Sequence, residues 1–326
     1  MKNNLTRRAA IGKSIMATMA ALAGNSMMMA HGAERVLDHS PTRKKLPFRI
    51  SLNTSTLMAY KLPADQQIEM VAAAGFDGIE LWMRDIMAYL EHGGSTQTLR
   101  HKLQAGPLVL ENIIGFSQWC SDEASERGKA IEQLRKEMGI IAELGGRYIA
   151  APVMGIKTLD RTQYDAYAER YLAILELEKE TGVVPVIEIW GAGALNKLSD
   201  AAQITIATGH PKATILLDFY HLYRGGSDWD TLDCLNGRRL PVIHMNDYPA
   251  QPAREQLTDA HRLLPGEGVC PFDQVLPKLH DSGFRGGLSV ELFNKEYWAG
   301  MDAPTLLKSS YDSTYKVVEH ALGDRL

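Results

Sequence analysis

Three observations predict an α/β fold of the closed (β/α)8 TIM barrel type. Eight short apolar runs alternate with helical stretches across residues 47–326, the pattern of a parallel sheet with helical crossovers. A faint internal echo joins the two ends of that span: 74–81 and 282–292 each read as a helix end, a Gly-Phe turn and a strand ending in glutamate. No G-x-G-x-x-G follows the first strand, which disfavours an open dinucleotide-binding sheet.

The elements follow in order. Arg49-Ile50-Ser51-Leu52 is a first strand. Pro63 opens a helix with Ile68, Val71 and Ala72 on one face, and Gly75 closes it, the usual early-proline, late-glycine asymmetry. The second strand covers 78–82, a helix lies around 96–105, and the third strand lies within 108–114. A long helix over 122–144, stopped by Gly145-Gly146, leads to a fourth strand at 147–151. A helix over about 161–180 leads to a strand that runs into Glu188, and one over about 198–208 to a strand that runs into Asp218. A shorter helix near 228–236 leads to a strand that runs into His244. A helix at 271–282 leads to a strand that runs into Glu291, and a helix at 303–321 closes the chain.

Four consecutive strands therefore end in Glu188, Asp218, His244 and Glu291. An apolar run reads as a buried strand, and a charge at its end has to leave the core, because an unpaired buried charge is costly. In a barrel these ends share one rim, where ligands and catalytic groups sit. Three carboxylates and an imidazole are a hard-cation set, so one divalent ion is expected: Mn²⁺ first, then Mg²⁺, Co²⁺ or Zn²⁺. Other strand-end residues are candidate substrate contacts: Glu80, Asp247, Lys157 and the indoles of Trp82, Trp119 and Trp190, which suit stacking on a sugar ring. The longest connection, 246–269, is expected to cover the site.

Composition is that of an ordinary globular protein, 45% hydrophobic and 23% charged. Cys120, Cys234 and Cys270 form no C-x-x-C, so neither a disulfide framework nor a zinc ribbon is expected. The net charge is −4, and residues 1–33 hold four basic groups and no acid, so the body is more acidic than the whole. That argues against a nucleic-acid partner. Residues 1–33 start basic, continue mildly apolar and end near small residues, as an export signal does. Arg7-Arg8 makes the segment resemble a twin-arginine signal, which implies a periplasmic or otherwise exported protein. Residues 34–46 read as a linker to a single barrel domain, 47–326. No stable membrane insertion of the mature chain is expected.

Together, Gly75-Phe76-Asp77-Gly78-Ile79-Glu80, Glu188-Ile189-Trp190-Gly191, Asp218-Phe219-Tyr220-His221, His244-Met245-Asn246-Asp247, Arg262 with Pro265-Gly266-Glu267-Gly268, and Ser289-Val290-Glu291-Leu292 resemble the sugar isomerase/epimerase superfamily with the xylose isomerase-like barrel. The resemblance covers roughly residues 48–322. It implies that Glu188, Asp218, His244 and Glu291 are metal ligands, that Glu188 and Glu291 are the catalytic acid/base pair, and that His221 and Arg262 hold substrate oxygens. Trp190, Glu80 and Asp247 complete the expected substrate contacts. The link from His244 to Arg262 is longer than in the superfamily's epimerases. The function implied is a metal-dependent isomerase or epimerase of a keto-sugar or related polyol, working through an enediolate. Two alternatives stay open: a lyase or dehydratase on a 3-keto-glycoside or inosose, and a non-catalytic exported sugar-binding protein. The expected partner is a small-molecule carbohydrate, with assembly as a homo-oligomer.

Overall fold

A computed structural model describes residues 43–106 and 108–326. The expected export segment, and the linker up to residue 42, lie outside the described residues. Eight strands close into one barrel in sequence order, each parallel to its neighbours. They are β1 (Arg49–Asn53), β2 (Gly78–Trp82), β3 (Val109–Ile114), β4 (Tyr148–Pro152), β5 (Val184–Glu188), β6 (Ile215–Asp218), β7 (Val242–Met245) and β8 (Gly287–Val290). Helices cover the outer face, which is why the strands read as continuous apolar runs rather than alternating ones.

The two-residue period of a strand explains where the site comes from. Val186, Leu216 and Val242 pack in one small cluster with Trp82, Ile114 and Ala150. Two residues further along the same strands stand Glu188, Asp218 and His244, on the same face and one layer higher. Ser289 on β8 and Glu291 just past its end repeat the spacing. The barrel is packed with side chains below and polar above.

One irregularity matters. The register between β2 and β3 shifts between Ile79 and Glu80, leaving Glu111 unpaired between Leu110 and Asn112. A bulge re-aims a side chain, and both acid and amide engage the interior: Asn112 bonds Glu80 at 3.0 Å, and Glu111 accepts from Ser51 at 2.8 Å.

The expected helices form over α1 (Ala64–Ala73), α3 (Thr96–Ala105), α4 (Ala124–Leu144), α7 (Leu198–Ala207), α9 (Phe272–Asp281) and α11 (Ala303–Leu322), with α2 (Met83–Glu91) added directly after β2. Gly145 ends α4 at φ +85°, a left-handed conformation that glycine adopts without cost. Asp302 caps α11 by accepting from the Thr305 backbone N–H at 2.9 Å.

Two expectations are corrected. The helix of 161–180 is broken into α5 (Tyr164–Leu175) and α6 (Glu178–Thr181). The crossover after β6 is not one helix near 228–236 but α8 (Phe219–Gly225), starting on the strand's last residue, and a 3-10 turn at Trp229–Cys234. Asp218 causes the early start: its Oδ1 accepts from the His221 backbone N–H at 2.8 Å, capping α8. The last unexpected helix is α10 (Lys295–Gly300). Among the described residues, no helix is long and apolar enough to cross a membrane.

Candidate active site

His244 is the hub of the upper rim. Its imidazole is wholly buried, with Nε2 3.2 Å from Glu80 Oε2. Its Nδ1 lies 3.1 Å from Glu291 Oε2, 3.4 Å from Asp218 Oδ2 and 3.7 Å from Glu188 Oε1. Three carboxylates from three strands thus converge on one ring nitrogen, as the strand-end pattern predicts. Close as they are, none is aligned as a hydrogen bond, so Nδ1 meets these carboxylates through charge alone. Glu188 Oε2 is a second buried atom that makes no hydrogen bond.

The electrostatics follow from crowding. Burial pushes the Glu188 carboxyl up to about 8; His244 pulls against this, and the charges of Glu291 and Asp218 add to it. Burial likewise raises Glu291, in part opposed by His244 and Arg262. Asp218 resists burial: Arg262, His221 and His244 together hold it well below the usual carboxylate range. Burial favours a neutral His244, but Glu291 and Glu80 win and raise it well above an ordinary histidine. Burial and the nearby cations take His221 down to about 4, so it is neutral near pH 7.

These residues fit a divalent ion. Asp218, His244 and Glu291 each offer a ligand atom within 4.8 Å of the others. Glu188 brings an unpartnered oxygen beside them. The Glu80 contact holds the Nε2 proton, so Nδ1 would be the ligating nitrogen once the ring gives up its second proton, the usual carboxylate–histidine arrangement behind a metal.

The expected substrate residues divide. Glu188, Trp190, His221, Arg262 and Glu291 line one cavity of about 360 Å³, together with Trp82. Phe116 and Phe293 complete its aromatic wall, with Phe116 ring centroids 5.2 Å from Trp82 and 6.0 Å from Trp190. Glu80 is not a substrate contact. It is fully buried beneath His244, where it accepts from Asn112 at 3.0 Å and Asn53 at 3.4 Å. Burial works against its charge, yet His244, Ser289 and Asn112 keep it below the ordinary glutamate range.

Asp247 is also corrected. Its carboxylate accepts from the backbone N–H groups of Tyr248, Gly266, Gly268 and Cys270 at 2.8–3.0 Å, which leaves no oxygen for a substrate. Its backbone pairs with Leu263 in an isolated antiparallel bridge, both bonds 2.9 Å. The long connection is therefore a folded return that brings Arg262 into the cavity. Trp119 is buried, with its indole N–H on the Pro152 carbonyl at 2.9 Å, and packs against Tyr171 rather than at the mouth. Lys157 is exposed and outside the cavity.

Sequence reasoning missed Asn53, Asn112, Asp259, Phe116 and Phe293. Only Asn112 carried a signal, an amide inside an apolar strand.

The comparisons agree with the barrel fold. Residues 68–316 match the model of the xylose isomerase-like TIM barrel family. An inosose isomerase of Halalkalibacterium halodurans is 27% identical over 260 residues, covering 78% of this chain and 90% of that one. A 3-dehydroshikimate dehydratase of Pseudomonas putida is 23% identical over 249 residues, 74% of this chain but 37% of that longer protein. Among solved structures, the IOLI protein with a binding zinc atom superposes with a TM-score of 0.77 at 20% identity, over 85% of this chain and all of that one. With the family model spanning most of the barrel, the chain belongs to the xylose isomerase-like TIM barrel family.

Proposed function

We propose that the protein is an isomerase or epimerase acting on a keto-sugar or related cyclic polyol, dependent on a divalent metal and working through an enediolate. The observation that carries this reading is the pair of unpartnered buried atoms, Glu188 Oε2 and His244 Nδ1, on one rim of the barrel. Buried polar atoms are normally satisfied; two left open beside Asp218 and Glu291 suit a ligand set. Asp218, His244, Glu188 and Glu291 would hold the ion, with Mn²⁺ our first choice for an oxygen-rich set with one imidazole. When bound, it supplies Lewis-acid stabilisation of the charge that develops on the substrate carbonyl oxygen.

The chain's own groups do the rest. Glu188 takes the proton α to the carbonyl on the carboxylate oxygen that the ion would leave free. Glu291 returns a proton to the same carbon for epimerisation or to its neighbour for isomerisation. His221 donates from Nδ1 to a substrate oxygen: its Nε2 accepts from Arg262 Nη2 at 3.0 Å, so the proton of the neutral ring sits on Nδ1, which has no protein partner. Trp82, Phe116, Trp190 and Phe293 cover the apolar face of the ring and keep water out.

The similarity to inosose isomerase supports the reaction class, and the IOLI protein shows that the fold accommodates a metal ion. The similarity to 3-dehydroshikimate dehydratase favours a second reading, in which the same enediolate expels a β-leaving group and the enzyme is a lyase. Export through the Arg7-Arg8 segment is part of the proposal.

Incubation with Mn²⁺ and a panel of keto-sugars and inososes in D₂O, followed by NMR, tests the reading. Metal-dependent loss of an α-C–H signal, absent in Glu188→Gln and Glu291→Gln, is the expected result. Product spectra then separate epimerase, isomerase and lyase. Ligand binding with no exchange across the panel would instead point to a sugar-binding protein.

A further inference from the structure

Arg262 is buried at the cavity wall, its guanidinium 4.6 Å from the centre of the Tyr220 ring. A guanidinium has five N–H donors in a fixed fork, and here every one is engaged. Nη1 donates to Asp218 Oδ2 at 2.6 Å and Glu291 Oε2 at 2.8 Å. Nη2 donates to His221 Nε2 at 3.0 Å and Asp259 Oδ1 at 2.9 Å. Nε donates to the same Asp259 oxygen at 3.1 Å.

The two ends of the fork differ. The inner end faces the rim carboxylates and is fixed by the chemistry proposed there. The outer edge, Nε with Nη2, is the edge on which arginine takes a carboxylate or phosphate. Asp259 occupies it. The Asp259 side chain is 55% exposed and lines the cavity, so its carboxylate stands where an anionic substrate group would dock. Among the described residues that line this cavity, Arg262 is the one permanent cation. The Asp259 carboxylate adds negative charge at the outer edge of the fork, so an entering anion meets repulsion there with no free charged donor in return. His221 Nδ1–H remains, a neutral donor suited to a hydroxyl or carbonyl.

We propose that Asp259 is a specificity-determining residue: it occupies the outer edge of Arg262 and so restricts the site to uncharged polyol ketones, excluding carboxylate and phosphate substrates. The inference rests on the reading that this cavity is the substrate site. Nothing at Asp259 marks it in the sequence, where it is one acid of a long connection.

The test is calorimetric binding of myo-inositol, quinate and myo-inositol 1-phosphate to the full chain, its Asp259→Asn variant and its Asp259→Glu variant. The wild-type protein should prefer the neutral polyol over either anion by about tenfold or more. Asp259→Asn should erase or reverse that preference, read as the ratio of anion to myo-inositol affinity, and Asp259→Glu should keep it. Anions bound by the wild-type protein as tightly as myo-inositol would overturn the proposal, as would an unchanged preference in Asp259→Asn or no binding of any probe. If Asp259→Asn melts early, the wild-type discrimination and Asp259→Glu still decide. Binding is read here rather than turnover. Loss of solvent exchange alone would therefore sink the enediolate reading and leave this inference standing.

Discussion

The two rims of the barrel hold the same kinds of group and treat them differently. At the lower rim, Glu111 accepts from Arg49 Nε and Nη2, both at 2.7 Å, and from Ser51 Oγ at 2.8 Å. One acid meets one base, and no side-chain atom of either is left without a partner. The fit is tight: a Cβ added at Gly78 would lie 2.5 Å from Glu111 Oε1, and one at Gly287 2.6 Å from it. At the upper rim, three carboxylates crowd one histidine, buried atoms that include Glu188 Oε2, His244 Nδ1 and His221 Nδ1 make no hydrogen bond, and the Glu188 carboxyl is pushed up to about 8. A saturated polar cluster closes the barrel; an unsaturated one is open to a ligand. Buried charge alone does not tell these apart, whereas counting partners does.

Mutations sharpen the contrast, and the largest effect is expected at the upper rim. Glu188→Gln or Glu291→Gln should lower solvent exchange by about 10²–10⁴-fold, the usual worth of a general acid or base. In the metal-free protein, Glu188→Gln should leave the melting temperature about unchanged, since an amide replaces a carboxyl that is already neutral there. A matching loss of fold, read by circular dichroism, would erase the distinction between the rims.

Glu111→Ala should do the reverse. It should cost about 2–3 kcal/mol in denaturant unfolding, less than a fully buried pair would, because the Arg49 side chain is 36% exposed. Exchange per folded molecule should persist. A next, smaller effect concerns Glu80, which touches no cavity. Glu80→Gln should weaken metal binding by about 10–100-fold through His244 alone. Unchanged affinity in a competition titration would show that the buried acid only fills space.

The smallest effect is a slope with pH. The raised Glu188 is protonated at neutral pH in the metal-free protein, so metal uptake must expel that proton. Affinity should therefore rise about tenfold per pH unit from pH 6 toward about 8, and His244, also raised, adds to the slope. Titrations in buffers of different ionisation enthalpy would detect the released protons. A flat profile would mean that Glu188 is not a ligand.

The same contrast explains what was legible in the sequence. The strands and the four strand-end residues could be read because an apolar run stopped by a charge is a local signal. The α8 helix could not: Phe219–Gly225 has no helical periodicity, and its start is set by the Asp218 cap, so the acid serves the helix as well as the site. Glu80 showed as a strand-end acid, but its role depends on His244, 164 residues away. Asp247 fits the same pattern yet holds a loop, because four backbone N–H groups that converge only in the folded chain take its oxygens. Strand position reports which residues reach the rim. Partners supplied from distant segments decide what they do there.

The most direct test of the account is a calorimetric titration of Mn²⁺ into the EDTA-treated full chain. The prediction is one ion per chain, lost in His244→Ala and Asp218→Asn and retained in Glu111→Gln. Absence of binding, or binding that survives the loss of His244, would contradict the claim that the unsatisfied rim is a metal centre.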